Sequence, residues 1–241
     1  MTTIISTLQS EVKGTSSTPT MSSTNYQGGL VKHIKEPWEY ISIENFLSPD
    51  RWQTIKDLAK KQLGLYYEWL EKDNKVYFNK ENAKRNKYNG YEDTDIIPET
   101  NELFYKYKLD HREYTGKLKK VIHWAIAEPG WVYPAHCDNR ARISTTIMYV
   151  DPDHSDGTIL HANPSKNDKG DHEAADQESS YTYEIPWKPN KVFFHNPIPN
   201  KTWHSIRNSH TTPRITLNTF LVQEDLVAKD RCYSGKEIEI N

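Results

Sequence analysis

From residue 117 to residue 223 the chain is written in short β-rich runs closed by turn residues. That grammar restricts the fold more than any other feature of its 241 residues. The runs read KLKKVIHWAIAEPGW, ARISTTIMYVDPD, GTILHANPS, YTYEIPW, KVFFHNP, TWHSIRN and RITLNTFLVQ. At least seven strands, spaced by Pro, Gly, Asn and Asp, predict a β-sandwich or jelly roll.

Upstream the text is helical. Ser48 reads as an N-cap with Pro49 at the first helical position, and Trp52, Ile55, Leu58 and Ala59 follow at helical spacing. A weaker helical stretch spans 64–72, and Ile96-Ile97-Pro98 opens a short helix through Leu103 and Phe104. Helices first and strands afterwards make the class α+β, with the N-terminal helices packed on one sheet. Ser, Thr and Gly dominate the first 29 residues, which predicts a flexible tail over 1–32. Residues 33–241 then form one catalytic domain, with its jelly-roll core at about 118–224. The Tyr- and Lys-rich segment 75–91 and the polar loop 163–180 are expected to border the entrance to the core.

A formal charge of −2 and a pI near 6.6 supply no basic field, so nucleic acid is a disfavoured partner. Cys137 and Cys232 are too few for a disulfide framework, and no charged segment leads into an apolar run in the manner of a signal peptide. No apolar run approaches the ~20 residues of a membrane span. The expectation is a cytoplasmic monomer or homodimer.

Three histidines stand two residues before a carboxylate: His111 with Glu113, His136 with Asp138, and His154 with Asp156. In an extended chain such a pair shares one face and can converge on an ion. Chance alone supplies such pairs, so context must choose. His111 precedes the strand series, and His154 lies in the turn cluster DPDHSDG, where Asp156 is expected to bond the local backbone. Only His136 lies between two strand-like runs, just past a Pro-Gly corner where a barrel mouth would be.

A third ligand must come from another strand, and two histidines with one carboxylate form the facial set that suits non-heme iron. His204 is the candidate, with His195 of FFHNP as its rival. Ten residues past His204 stands Arg214, and the period of two places Arg214, Thr216 and Asn218 on one strand face. An inward arginine needs an anion, and a carboxylate-bearing cosubstrate would satisfy its guanidinium fork and the Thr216 hydroxyl. Cys137, between the two potential ligands, should point to the opposite face.

Over roughly 118–224 these motifs resemble the iron(II)/2-oxoglutarate-dependent dioxygenases, in their prolyl-4-hydroxylase-like branch. Gly130 stands six residues before His136, IMYVDP resembles a strand ending Tyr-Leu-Asn, and SDGTIL partly matches a Gly-Gly-Xaa-Thr element. The Phe-rich VFFHNPIPNKTWHSIR then leads to the arginine, and YISIENFLSPDRWQ echoes the family's strand-then-helix opening. The resemblance implies a double-stranded β-helix of the cupin-like kind and an Fe(II) centre at His136, Asp138 and His204. It places Arg214 on the distal carboxylate of 2-oxoglutarate, with Thr216 at the hydroxyl position of the Arg-Xaa-Ser pattern. It further implies O2-dependent hydroxylation of an amino-acid, peptidyl or small-metabolite C–H bond, with release of succinate and CO2. Halogenating relatives lack the carboxylate that Asp138 supplies here.

The chain departs from the pattern at Ala127, where many relatives carry a cosubstrate-contacting Tyr; Tyr133 and Tyr149 are the possible replacements. Asn190 or Lys191 stands where a Gly commonly precedes the Phe-rich strand, and Arg214 replaces the Lys of many prolyl hydroxylases. Arg140 and Arg142 are expected at the substrate entrance. The rival readings are a cupin-like metalloenzyme that does not use 2-oxoglutarate and a non-catalytic jelly-roll binding module.

Overall fold

Two ten-residue strands, β7 (Arg142–Asp151) and β12 (Arg214–Gln223), lie side by side and are buried along almost their whole length. Burial on both faces explains why they read as near-continuous β-branched and aromatic text. The computed structural model describes residues 21–26, 29–64, 90–91, 95–107, 118–139, 141–162, 181–223 and 236–238.

Around this pair a large antiparallel sheet assembles in the order β1-β2-β3-β10-β7-β12-β5-β13. Its other members are β1 (Met21–Tyr26), β2 (Gly29–Ile34), β3 (Tyr40–Glu44), β5 (Leu118–Ala127), β10 (Val192–His195) and β13 (Lys236–Ile238), with β4 (Gly90–Tyr91) pairing β5. A second antiparallel sheet has the order β6-β11-β8-β9, from Val132–His136, His204–Arg207, Thr158–Ala162 and Tyr181–Ile185.

One face of the large sheet carries Ile41, Ile43, Ile122, Trp124, Met148, Val150, Ile215 and Leu217, packed with Ile55 and Ala59 of α1 (Pro49–Gln62) and Leu103 of α2 (Glu99–Lys106). The Ser48 hydroxyl accepts the Arg51 N–H at the start of α1, and the Arg51 guanidinium grips both carboxylate oxygens of Glu99 at 2.6 and 3.1 Å. Both helices are thereby tied to the same face. The opposite face carries Ile147, Tyr149 and Phe193 and packs with Leu160 and Ile185 of the second sheet. Because Ile215 and Leu217 face the helices, the alternation of β12 turns Arg214, Thr216 and Asn218 toward the second sheet.

The tail expected over 1–32 gives way at Met21, where β1 and β2 form a hairpin continuing onto β3; residues 1–20 lie outside the described residues. Gly29, which reads as tail composition, is needed for packing: a Cβ there would stand 2.4 Å from the Glu44 carbonyl oxygen. The stretch before His136, which reads as a link between strands, is itself the edge strand β6. Pro134 and the exposed Val132 and Tyr133 hide it from any alternation test, since an edge strand tolerates Pro and is solvated on both faces. The helical stretch expected at 64–72 and the segments 75–91 and 163–180 fall almost wholly outside the described residues. Among the described residues no helix is long and apolar enough to cross a membrane.

Candidate metal centre

Gly130 adopts φ 76°, a left-handed turn open to glycine, and its N–H donates to the Asn208 carbonyl at 2.8 Å. This corner launches β6 along β11 in a register that sets His136 directly opposite His204. Their ring centroids lie 4.3 Å apart. Asp138 follows two residues later, buried beneath the pair, and one donor atom each from His136, Asp138 and His204 lies within 4.8 Å of the others.

The tautomers are set by the backbone. His136 Nδ1 lies 3.0 Å from the Pro134 carbonyl and His204 Nδ1 lies 3.0 Å from the Thr202 carbonyl, in each case two residues back. A carbonyl only accepts, so both Nδ1 atoms carry the proton and both Nε2 atoms keep their lone pairs. A metal needs that arrangement in its imidazole ligands.

Asp138 is held as an anion. Arg142 donates to Oδ1, and the Thr145 hydroxyl donates to Oδ2 at 2.7 Å. Burial works against the charge, but Arg142 first, and then His204, His195 and His136, outweigh it and keep the carboxyl below its usual range. Burial and the neighbouring His204 push His136 down to about 3, so its imidazole is neutral across the physiological range.

His195, the rival ligand, is fully buried at the end of β10 with Nε2 3.6 Å from Asp138 Oδ2. Neither ring nitrogen makes a hydrogen bond of good geometry, although the Asn196 backbone lies beside the ring. It falls outside the three-donor cluster. His154 and Asp156 do not converge either: Asp156 accepts the N–H of Ser209, a residue remote in sequence, where a local bond was expected. His111 and Arg140 lie outside the described residues. Arg142 is turned onto Asp138 and lies 3.7 Å over the Phe220 ring. Cys137 is buried and unbridged.

Between the same two sheets Arg214 is buried to 2 % exposure. Its Nε donates to the Asp156 carbonyl at 3.1 Å and one terminal nitrogen to the Thr158 hydroxyl at 3.3 Å, and its carbon lies 5.3 Å from the Tyr149 ring and 5.0 Å from the Trp187 ring. Among the described residues no carboxylate lies within ion-pairing distance of it. Tyr149 stacks on Trp187 at 4.5 Å, and its hydroxyl donates to Thr158 Oγ1. Thr216 sits beside Tyr149 in the sheet register. Of the two tyrosines singled out by sequence, Tyr149 thus adjoins the guanidinium. Tyr133 is 43 % exposed and meets the His136 ring edge-on at 4.2 Å. Thr145, Thr158 and Trp187 escape sequence reasoning because a hydroxyl or indole inside a strand series carries no spacing signal.

No family model and no curated protein matches the chain. Solved structures similar to it include a prolyl-4-hydroxylase from Pseudomonas putida, at 10 % identity and a TM-score of 0.44, covering 76 % of this chain and 87 % of that one. The viral collagen prolyl hydroxylase of Paramecium bursaria Chlorella virus-1, in its 2OG complex, is similar at 14 % identity and a TM-score of 0.46, over 76 % of this chain and 96 % of that one. EvdO2 from Micromonospora carbonacea var. aurantiaca is similar at 12 % identity and a TM-score of 0.48, over 76 % and 86 %.

Proposed function

We propose that the chain is an Fe(II)/2-oxoglutarate-dependent dioxygenase, built on a double-stranded β-helix, that hydroxylates an amino-acid, peptidyl or small-metabolite C–H bond. The topology supports the fold reading: β10-β7-β12-β5 faces β9-β8-β11-β6, eight antiparallel strands shared equally between two sheets, as in a jelly roll. The described sheets and helices then constitute one catalytic domain that begins by Met21, in the edge hairpin.

The observation that carries the functional reading is a buried guanidinium, unpaired with any carboxylate among the described residues, placed between the same sheets as a three-donor cluster with both imidazole Nε2 atoms available. Two imidazoles and one carboxylate suit iron and leave coordination positions for other ligands, so the donor set fits the metal. An arginine with no carboxylate at ion-pairing distance among the described residues, Asp156 and Glu184 acting on it only from farther off, fits a dicarboxylate that arrives with the reaction.

His136, Asp138 and His204 would hold the iron. With 2-oxoglutarate and O2 bound, iron supplies oxidative decarboxylation to succinate and CO2 coupled to hydroxylation of a C–H bond. The protein's part is orientation. Arg214 receives the distal carboxylate in its fork, with the Thr158 and Thr216 hydroxyls and Tyr149 as its near neighbours. Thr145 and Arg142 keep Asp138 ionised, and the Tyr149–Trp187 stack excludes water from the buried end of the pocket.

The test is a substrate screen that follows O2 uptake and succinate together in iron-loaded protein. Equimolar succinate and consumed O2 are expected. Consumption of O2 without succinate would instead mark a cupin-like oxidase.

A further inference from the structure

His195 is not needed to complete the metal set, yet it occupies the most expensive kind of position a histidine can take. Its relative exposure is 0 %, its ring stacks on Phe193 at 5.0 Å and meets Trp38 at 5.0 Å, and both nitrogens are unsatisfied. An unsatisfied buried polar group costs about 1–3 kcal/mol, and Phe would fill the same aromatic slot without that cost. A carboxylate faces the ring: Asp138 Oδ2 lies 3.6 Å from Nε2, just outside hydrogen-bonding distance, and the Asn196 backbone also adjoins the imidazole. That oxygen already accepts from Thr145, and the other accepts from Arg142.

We infer that His195 is a positioning residue for the metal, donating its Nε2–H to Asp138 Oδ2 once the metal is bound and so fixing the ligand carboxylate from the β10 side. This inference rests on the metal reading above. A carboxylate that ligates through one oxygen is held in orientation by donors on its remaining lone pairs, and losing such an outer partner typically costs 10–100-fold in metal affinity. At 3.6 Å the contact is poised and unmade. A shift of well under 1 Å closes it to the roughly 2.9 Å of an N–H to oxygen bond.

The experiment uses the full chain and the metal alone, without cosubstrate. Co(II) is titrated into wild type, His195→Phe and His195→Gln, with circular dichroism confirming that each is folded. His195→Phe keeps the aromatic slot and is expected to bind Co(II) about tenfold more weakly. His195→Gln, which restores a donor, should recover most of the loss. In the wild type itself, imidazole 15N–1H spectra with Zn(II) should show His195 Nε2–H becoming protected from exchange on metal addition, in addition to the Nδ1–H signals of His136 and His204. Failure of wild type to bind Co(II) or Zn(II) would count against the metal centre as a whole. Equal affinity in wild type and His195→Phe, or no protected His195 signal in metal-loaded wild type, would overturn this inference alone.

Discussion

At the scale of single residues, the site depends on which nitrogen of each histidine is free. The Pro134 and Thr202 carbonyls make that choice for His136 and His204. Replacing His136 or His204 by Ala should therefore reduce Co(II) affinity by more than the ~10–100-fold that losing an outer partner costs. Titration calorimetry reads this directly. Arg214 behaves differently. Its charge is buried without a carboxylate at ion-pairing distance among the described residues, so Arg214→Met should leave thermal stability unchanged or raise it, by up to about 1–4 kcal/mol, while abolishing 2-oxoglutarate binding. Destabilisation of that variant would show that the guanidinium serves the fold. The pairing of His136 with Asp138 and the shared face of Arg214, Thr216 and Asn218 can be read from a period of two, whereas the spacing from Gly130 to His136 carries meaning only through the resemblance. The choice between His204 and His195 was not legible in the same way, because it turns on carbonyls brought close only by the folded backbone.

At the scale of elements, the strands that alternate or run continuously apolar could be read directly, and α1 announced itself through Ser48 and Pro49. Edge elements could not. β6 carries Pro134 among exposed residues, and the β1 sequence MSSTNY has no alternating apolar pattern. Asn190 illustrates how one position joins elements. It adopts φ 61°, and its side chain both accepts from the Leu47 N–H and donates to the Leu47 carbonyl at 2.9 Å. It thereby staples the approach to α1 onto the turn before β10. Asn190→Ala loses both bonds and strains the turn, and should cost about 2–4 kcal/mol in urea unfolding. Asn190→Gly relieves the backbone alone and should fall between Ala and wild type.

At the scale of the whole molecule, the sheets hold three histidines neutral, His195 fully buried and His123 and His136 half-buried. His123, His136 and His195 are each pushed down to about 3, burial being the largest cause in every case. In the unfolded chain they titrate near 6.5, so between about pH 6.5 and 3 the unfolded state binds more protons and stability falls as the pH falls, at up to about 1.4 kcal/mol per pH unit for each group. Asp138, held low in the fold, adds loss in the same direction below about pH 4. Thermal unfolding of the metal-free protein should therefore occur at a distinctly lower temperature at pH 4.5 than at pH 7. An unchanged midpoint would mean that these rings are not buried neutral.

The central claim is that one pocket holds both Fe(II) and 2-oxoglutarate. Anaerobic titration of the metal-free protein with Fe(II) and then 2-oxoglutarate should produce a metal-to-ligand charge-transfer band that requires both components and disappears in His136→Ala. No band in the wild type, or the same band in His136→Ala, would contradict the account.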